Sequence, residues 1–379
     1  IEGTFTGNGT IGESGVPYKV LQFATVGKCV WSLPSGVRTV DLAAIGGGGG
    51  GGAFIGGGGA GGQVDTQAGQ EVSADLTITV GAGGVGASNL AVYSPYGDAS
   101  AGGSTSIAHG GTSLLISAGG SVGGGHTAQA PGGGVTGGGG GLNPTAGGDG
   151  SLFDGGVGYG ADSYVGGGGA GAGADGQSAS LSAAGNGGNG AVVTLTGSPV
   201  TYGGGGGGGV HGPNGAWQLL SAGTGGSGGG GNGGAPTIQA GTETVLGQAG
   251  QSGLGGGGGG AGKNSGATAA SPNTSTSIGG VGGSGKVLLA YSLSPGAPAI
   301  SSVSSGDVSL DVAFSAPTHN AGSAITDYEY SFDGSTWTSF SSASAGTKTI
   351  SGLNNGTAYT VRVRAVNGNG NGVSATAGS

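Results

Sequence analysis

The run Gly257 to Gly262, followed by Lys263 and Asn264, is spaced like a phosphate loop. In such a loop backbone amides cradle an anion and a lysine reaches the outer phosphates. The Ser or Thr that would hold Mg2+ is missing, and no helix is expected to follow. Gly119-Gly120-Ser121-Val122-Gly123 fits the nucleophile-elbow spacing, without the strand–turn–helix context that exposes such a serine. With 108 glycines among 379 residues, both spacings arise by chance. His109, His126, His211 and His319 show no metal-ligand spacing and read as loop histidines. Asp149, Asp154, Asp162 and Asp175 lie in Gly/Asp turns, a setting that binds Ca2+ in nonapeptide repeats. Ca2+ is therefore the one cofactor these residues admit. The nine-residue period is not kept, however, and turn caps are the plainer reading. Glu2, Glu13, Glu71 and Glu243 form no recognisable pair of opposed carboxylates for glycoside hydrolysis. The expectation is a protein without a catalytic set, a cofactor site or a metal site.

Aromatic residues are the candidates for contact. Phe5, Tyr18 and Phe23 lie in an N-terminal β-rich segment. Tyr159, Tyr164, Tyr202 and Trp217, with Tyr93 and Tyr96, lie near Gly or Pro in loops. Exposed loop aromatics suit contact surfaces, including glycan recognition; the alternative is that they plug over bare glycine backbone. Only 8 Lys and Arg stand against 17 Asp and Glu, a net charge of −9, which argues against nucleic acid as a partner. No run of 18 apolar residues is present, so membrane insertion by a helix is not expected. Ile1 at position 1 and the absence of Met suggest a processed, exported chain. The single cysteine, Cys29, allows no intrachain disulfide and is expected to be a buried small apolar residue within Val26–Trp31. Asn8-Gly-Thr10, Asn273-Thr-Ser275 and Asn355-Gly-Thr357 have N-glycosylation spacing.

The elements that must position these residues are strands. Glycine has no side chain to pack, loses the most backbone entropy on ordering and disfavours helix. The fold class expected is all-β. Composition shifts sharply near Ser294–Pro298, which divides the chain into a glycine-rich domain, 1–294, and an ordinary small domain, 295–379. In the second, Val308, Leu310, Val312 and Phe314 alternate with polar or small residues, as do Tyr359, Val361, Val363 and Ala365, and Asp333-Gly334 marks a turn. Short alternating strands with regular turns predict an antiparallel β-sandwich. In the first, strands are expected in Val37–Leu42, Leu76–Val80, Leu114–Ser117, Val192–Thr196 and Lys286–Tyr291, with glycine blocks at 46–52, 56–59, 166–169, 203–209 and 255–260 between them.

The stretch Gly352 to Asn367, with Leu353 and Tyr359 at the tyrosine-corner positions, closely resembles a fibronectin type III domain, and this resemblance covers about 295–379. Phe314 stands where that family usually has Trp. The frame of the first domain resembles the glycine-rich domain of phage tail and bacterial surface proteins over about 20–293. It is carried by Trp31-Ser-Leu-Pro34-Ser-Gly36-Val37 entering a glycine block and by the closing Gly285-Lys-Val287-Leu-Leu-Ala-Tyr291 strand. Ala44-Ile45 departs from the aromatic common before the first block. The first resemblance implies a spacer or adhesive module rather than catalysis.

Glycine blocks between real strands predict a polyglycine II lattice: extended helices of three residues per turn, each backbone group paired with a neighbouring helix. Each such bond contributes only about 0.5–1.5 kcal/mol net, so many are needed against the ordering entropy. The functional expectation is a secreted structural protein that self-assembles into an extracellular surface filament or sheath. Its main partner would be copies of itself, with the segment 1–23 adding a pairing strand to a neighbour. The alternative is a phage tail-fibre or adhesin protein in the virion tail, binding a host-cell receptor or cell-surface glycan.

Overall fold

The computed structural model describes residues 2–6, 17–34, 37–88, 98–125, 137–140, 147–148, 150–160, 164–211, 220–235, 245–263, 277–321 and 323–378. All regular elements among them are strands. The first eight are β1 (Glu2–Thr6), β2 (Pro17–Phe23), β3 (Gly27–Trp31), β4 (Thr39–Ile45), β5 (Val64–Glu71), β6 (Leu76–Val80), β7 (Thr105–His109) and β8 (Thr112–Ser117). Short pieces follow as β9 (Tyr164–Val165), β10 (Ala191–Val193), β11 (Val200–Tyr202), β12 (Val210–His211), β13 (Val245–Leu246) and β14 (Ser277–Ile278), before β15 (Lys286–Ser292). The C-terminal unit holds β16 (Ala299–Gly306), β17 (Ser309–Ser315), β18 (Ile325–Ser331), β19 (Thr338–Ser339), β20 (Gly346–Ser351), β21 (Thr360–Asn367) and β22 (Gly370–Gly378).

A five-stranded sheet, β1-β2-β15-β4-β5, packs on a four-stranded sheet, β3-β6-β7-β8. Leu76, Ile78 and Val80 alternate with half-exposed threonines, and with Ile107 they meet Leu42, Leu289 and Tyr291 in one core. β15 reads as a continuous apolar run because it is covered on both faces. Val287, Leu289 and Tyr291 face that core, while Leu288 joins Ala43, Ile45, Val193 and Tyr202 on the other side. The strand expected at Val192–Thr196 is the shorter β10. β5 and β7 had no expectation, since Val-Asp-Thr-Gln-Ala-Gly-Gln-Glu and Thr-Ser-Ile-Ala-His alternate weakly.

One expectation is corrected here. Cys29 is exposed, not buried: β3 is the edge of its sheet, and only Trp31 at its end turns inward, onto Tyr291 with ring centroids 5.4 Å apart. Within the N-terminal segment, β2 is bonded to β15 of the same chain, with Phe23 opposite Val287, and β1 is the edge strand of the sheet among the described residues.

The C-terminal unit is a β-sandwich of β16-β17-β20 against β19-β18-β21-β22. Phe314 fills its core, 4.9 Å from the Tyr328 ring and 5.9 Å from Phe340. The hydroxyl of Tyr359 accepts the amide hydrogen of Asn354 at 3.1 Å, closing the corner expected from Leu353 and Tyr359. The connection from the first unit is held by the β21–β22 hairpin: Asn367 Nδ2 donates to Leu293 O at 3.3 Å, and the Val373 amide donates to Pro295 O at 3.1 Å.

Candidate functional site: the polyglycine lattice

Strands of the first unit run directly into glycine segments. β4 ends at Ile45 and Gly46 begins the segment 46–52; β11 ends at Tyr202 and Gly203 begins 203–209. The hydrogen bonds of 46–52 repeat every third residue. Amides of Gly46, Gly49 and Gly52 donate to Gln63, Ala60 and Gly57; those of Gly47 and Gly50 to Gly103 and Ser100; those of Gly48 and Gly51 to Gly283 and Gly280. Carbonyls of Gly47 and Gly50 accept from Gly120 and Gly123, those of Gly48 and Gly51 from Gly84 and Ala87, and those of Gly49 and Gly52 from Gly258 and Ala261. The distances run from 2.8 to 3.1 Å. Falling numbers mark three antiparallel neighbours and rising numbers three parallel ones. A threefold helix bonded to six neighbours is the unit of a hexagonal lattice, so the expected polyglycine II packing is present.

The same bookkeeping of partners holds for 56–62, 166–171, 203–209 and 255–261, which with 46–52 make the enclosed interior. Every residue in these segments is buried. Only glycine fits most of them: a methyl group built at any of Gly46–Gly52 would lie under 3.0 Å from a neighbouring carbonyl. Ala60, Ala170 and Ala261, each fully buried, are the largest groups the interior holds. Gly203 and Gly255 open their helices at φ +73° and +69°, a kink that favours glycine.

The rim has a different sequence. Segments with one face to solvent carry an outward side chain at every third residue: Ala82, Val85, Ser88; Asn186, Asn189; Thr224, Ser227; Ile278, Val281, Ser284; the segment 246–252 carries two such rows, Leu246, Ala249, Ser252 and Gln248, Gln251. This follows from three residues per turn, which returns every third position to the same side. Two rim helices are laced by side chains. Asn186 Oδ1 accepts from the Thr224 amide at 2.8 Å and its hydroxyl at 3.0 Å, and Asn189 Oδ1 accepts from the Ser227 amide at 3.1 Å and its hydroxyl at 2.9 Å. The Gly-Gly-x period and this asparagine ladder were not anticipated, although Asn-Gly-Gly-Asn and Thr-Gly-Gly-Ser carry the signal.

The residues singled out from sequence fall into several settings. The phosphate-loop mimic is lattice interior: amides of Gly257, Gly258, Gly259 and Gly260 donate to Gly204, Gly49, Gln248 and Gly207, so these four are not free to cradle an anion. Tyr202 is corrected from contact residue to core, 2% exposed beneath Lys286, because β11 turns it toward Leu288 and Ile45. Tyr159 and Tyr164 are half-buried and brought close to one another by the Tyr159–Val165 bridge, and Tyr164 pairs with His211. Tyr18 and Phe23 are half-buried on β2, and Phe5 lies opposite Tyr18 in the β1–β2 register. Trp217, Tyr93, Tyr96, His126, Asp149 and Asp162 lie outside the described residues. Asp175 caps the Asp154 amide at 2.8 Å, and Asp154 caps Gly150 at 2.8 Å. Among the described residues no three His, Cys, Asp or Glu converge to hold a metal.

A cleft of about 580 Å3 between the two units is lined by Arg38, Glu71, Ser73, His109 and His319 among others. His109 Nε2 accepts the amides of Ala74 at 3.0 Å and Ser73 at 3.2 Å, which requires the unprotonated nitrogen there. Burial, and then the charge of Arg38, holds the His319 imidazole below its ordinary range. Glu71 is the one carboxylate among the described residues of this lining.

No curated protein matches the chain. No helix among the described residues is long and apolar enough to cross a membrane. The glycine-rich domain profile matches residues 24–292, and the fibronectin type III domain profile matches 295–378. Both are domain types of structural or binding proteins, and the lattice and sandwich described above occupy these two ranges. The chain therefore belongs to the glycine-rich domain family and carries a fibronectin type III domain after it.

Proposed function

We propose that the protein is a non-enzymatic, secreted structural subunit that self-assembles into an extracellular surface filament or sheath, its fibronectin type III domain acting as a linking or decorating module. The observation that carries this reading is the interior lattice, in which every amide of 46–52 is bonded to a neighbouring helix. Such a body has no interior side chains to do chemistry and resists deformation through its main chain. Among the described residues β1 is the edge strand of the five-stranded sheet, next to β2, and its outer ladder is where a neighbour's strand would pair. Electron microscopy and light scattering of the purified chain test the reading: polymers forming as concentration rises support it, and a monodisperse monomer at high concentration overturns it.

A second reading is favoured by one specific pairing. β9 with β12 places Tyr164 opposite His211 in the strand register, one residue from each of the two regions expected to contact a receptor, 159–164 and 211–217. In a tail-fibre or adhesin protein these would form one contact surface. Exchanging both segments is then expected to abolish host-cell binding without changing the melting temperature; unchanged binding counts against it.

A further inference from the structure

The rim of the lattice is not chemically uniform. Segment 278–284 donates from Gly279 and Gly282 to Ala87 and Gly84 on one side, and accepts at Ile278 and Val281 from Gly247 and Gly250 on the other. All three segments 82–88, 278–284 and 246–252 rest on the interior helices 46–52 and 255–261. In hexagonal packing this arrangement puts them in one straight row, a flat facet. Along it Val85 is 52% exposed, Val281 50% and Leu246 52%, with Ala82 and Ala249 also exposed. Segments 82–88, 246–252 and 278–284 themselves contain no charged residue, in a chain whose net charge is −9; the exposed Asp98 carboxylate accepts the Ser88 amide at one end, and Gln248 and Gln251 are the exposed polar side chains of 246–252. The row formed by 184–190 and 221–227 differs, since its outward side chains are Asn, Thr and Ser.

We infer that this facet is a homotypic contact, the lateral surface through which a second copy of the chain docks. The inference rests on the self-assembly reading and names its interface. Three considerations select a copy as the occupant. Side chains recur about every 9 Å along each helix, three residues at about 3.1 Å, so an identical facet offers ridges and grooves of the same period. Two chains of like charge approach most easily through a surface whose charge is confined to one end, at Asp98. The contact area also fits a repeated contact better than a solitary one. Helices about 20 Å long and about 4.8 Å apart present on the order of 300 Å2 per copy, and two facets bury roughly a third of a standard stable interface. One pair is therefore weak, and many along a polymer are not.

Sedimentation velocity of the full chain from about 1 to 300 μM tests this. Wild-type protein is expected to associate as concentration rises. The double variant Val85→Asp/Val281→Asp is expected to need at least tenfold higher concentration, and Val85→Ser/Val281→Ser to fall between. Leu181→Asp, at a residue 59% exposed away from the facet, serves as the control and is expected to behave as wild type. Circular dichroism establishes that each variant is folded. If the double Asp variant is folded and associates as readily as wild type, the facet is not the contact although self-assembly stands. A wild-type chain that stays monomeric throughout overturns both.

Discussion

The amide of Gly258 donates to the carbonyl of Gly49 at 2.9 Å, joining the centres of two glycine runs from opposite ends of the glycine-rich domain. Neither residue has a side chain, and both are buried. A Cβ at Gly258 would lie under 3.0 Å from the Gly280 carbonyl, with backbone atoms that have no room to move. Gly258→Ala is therefore expected to destabilise the domain by about 1–3 kcal/mol or more, the range of core overpacking. Val281→Ala, on the exposed rim, is expected to stay within about 0.5 kcal/mol of wild type. Thermal melts of the two variants check the contrast; equal melting temperatures would mean that the interior is not close-packed.

Amide hydrogen exchange reads the same lattice directly. Gly46–Gly52, Gly204–Gly209 and Gly257–Gly260 are expected to exchange as slowly as β15, since their amides are paired and enclosed. Exchange at the rate of an unfolded peptide in these segments would remove the physical basis of the structural role.

The asparagine ladder closes the polar rim. Asn189→Ala removes the acceptor for both the amide and the hydroxyl of Ser227. The exposed Ser227 regains water, so the expected loss is about 1 kcal/mol, and about twice that with Asn186→Ala as well. Urea denaturation curves of the single and double variants measure it.

Asp333 gives the C-terminal sandwich an acid-sensitive turn. Its carboxylate accepts the amides of Thr336 and Ser335, both at 2.7 Å, and the Ser331 hydroxyl at 3.0 Å. These bonds, the Thr336 and Ser335 amides first, hold the group well below the usual carboxylate range. The folded value lies below the unfolded one, so the contribution is present above the ordinary value of 3.8 and is lost as pH falls toward the folded value. Asp333→Asn is expected to be less stable than wild type at pH 7, with the gap shrinking below about pH 4. Denaturation followed by amide exchange of β18 and β21 at the two pH values tests the sign; a gap that widens on acidification contradicts it.

Much of the architecture was legible in the chain itself. The alternation Leu76-Thr-Ile78-Thr-Val80 specifies a half-buried strand because side chains alternate across a pleated backbone. The run Val287 to Tyr291 specifies a covered one, and the Leu353…Tyr359 spacing specifies the corner of the C-terminal sandwich. A block of glycines specifies, through the missing Cβ, that helices can approach until their backbones bond. The Gly-Gly-x rows even encode which helices lie on the rim. What sequence did not decide is which helix lies beside which, because a glycine amide has no identity and bonds equally well to any other. That choice was made by the strands that feed the lattice: β4, β6, β11 and β15 are fixed in register by their side chains and aim each glycine segment into its place. The fates of Tyr202 and Cys29 were settled at the same level. Burial depends on what the neighbouring strand covers, and the position of a strand at the centre or edge of a sheet is a property of the assembled whole.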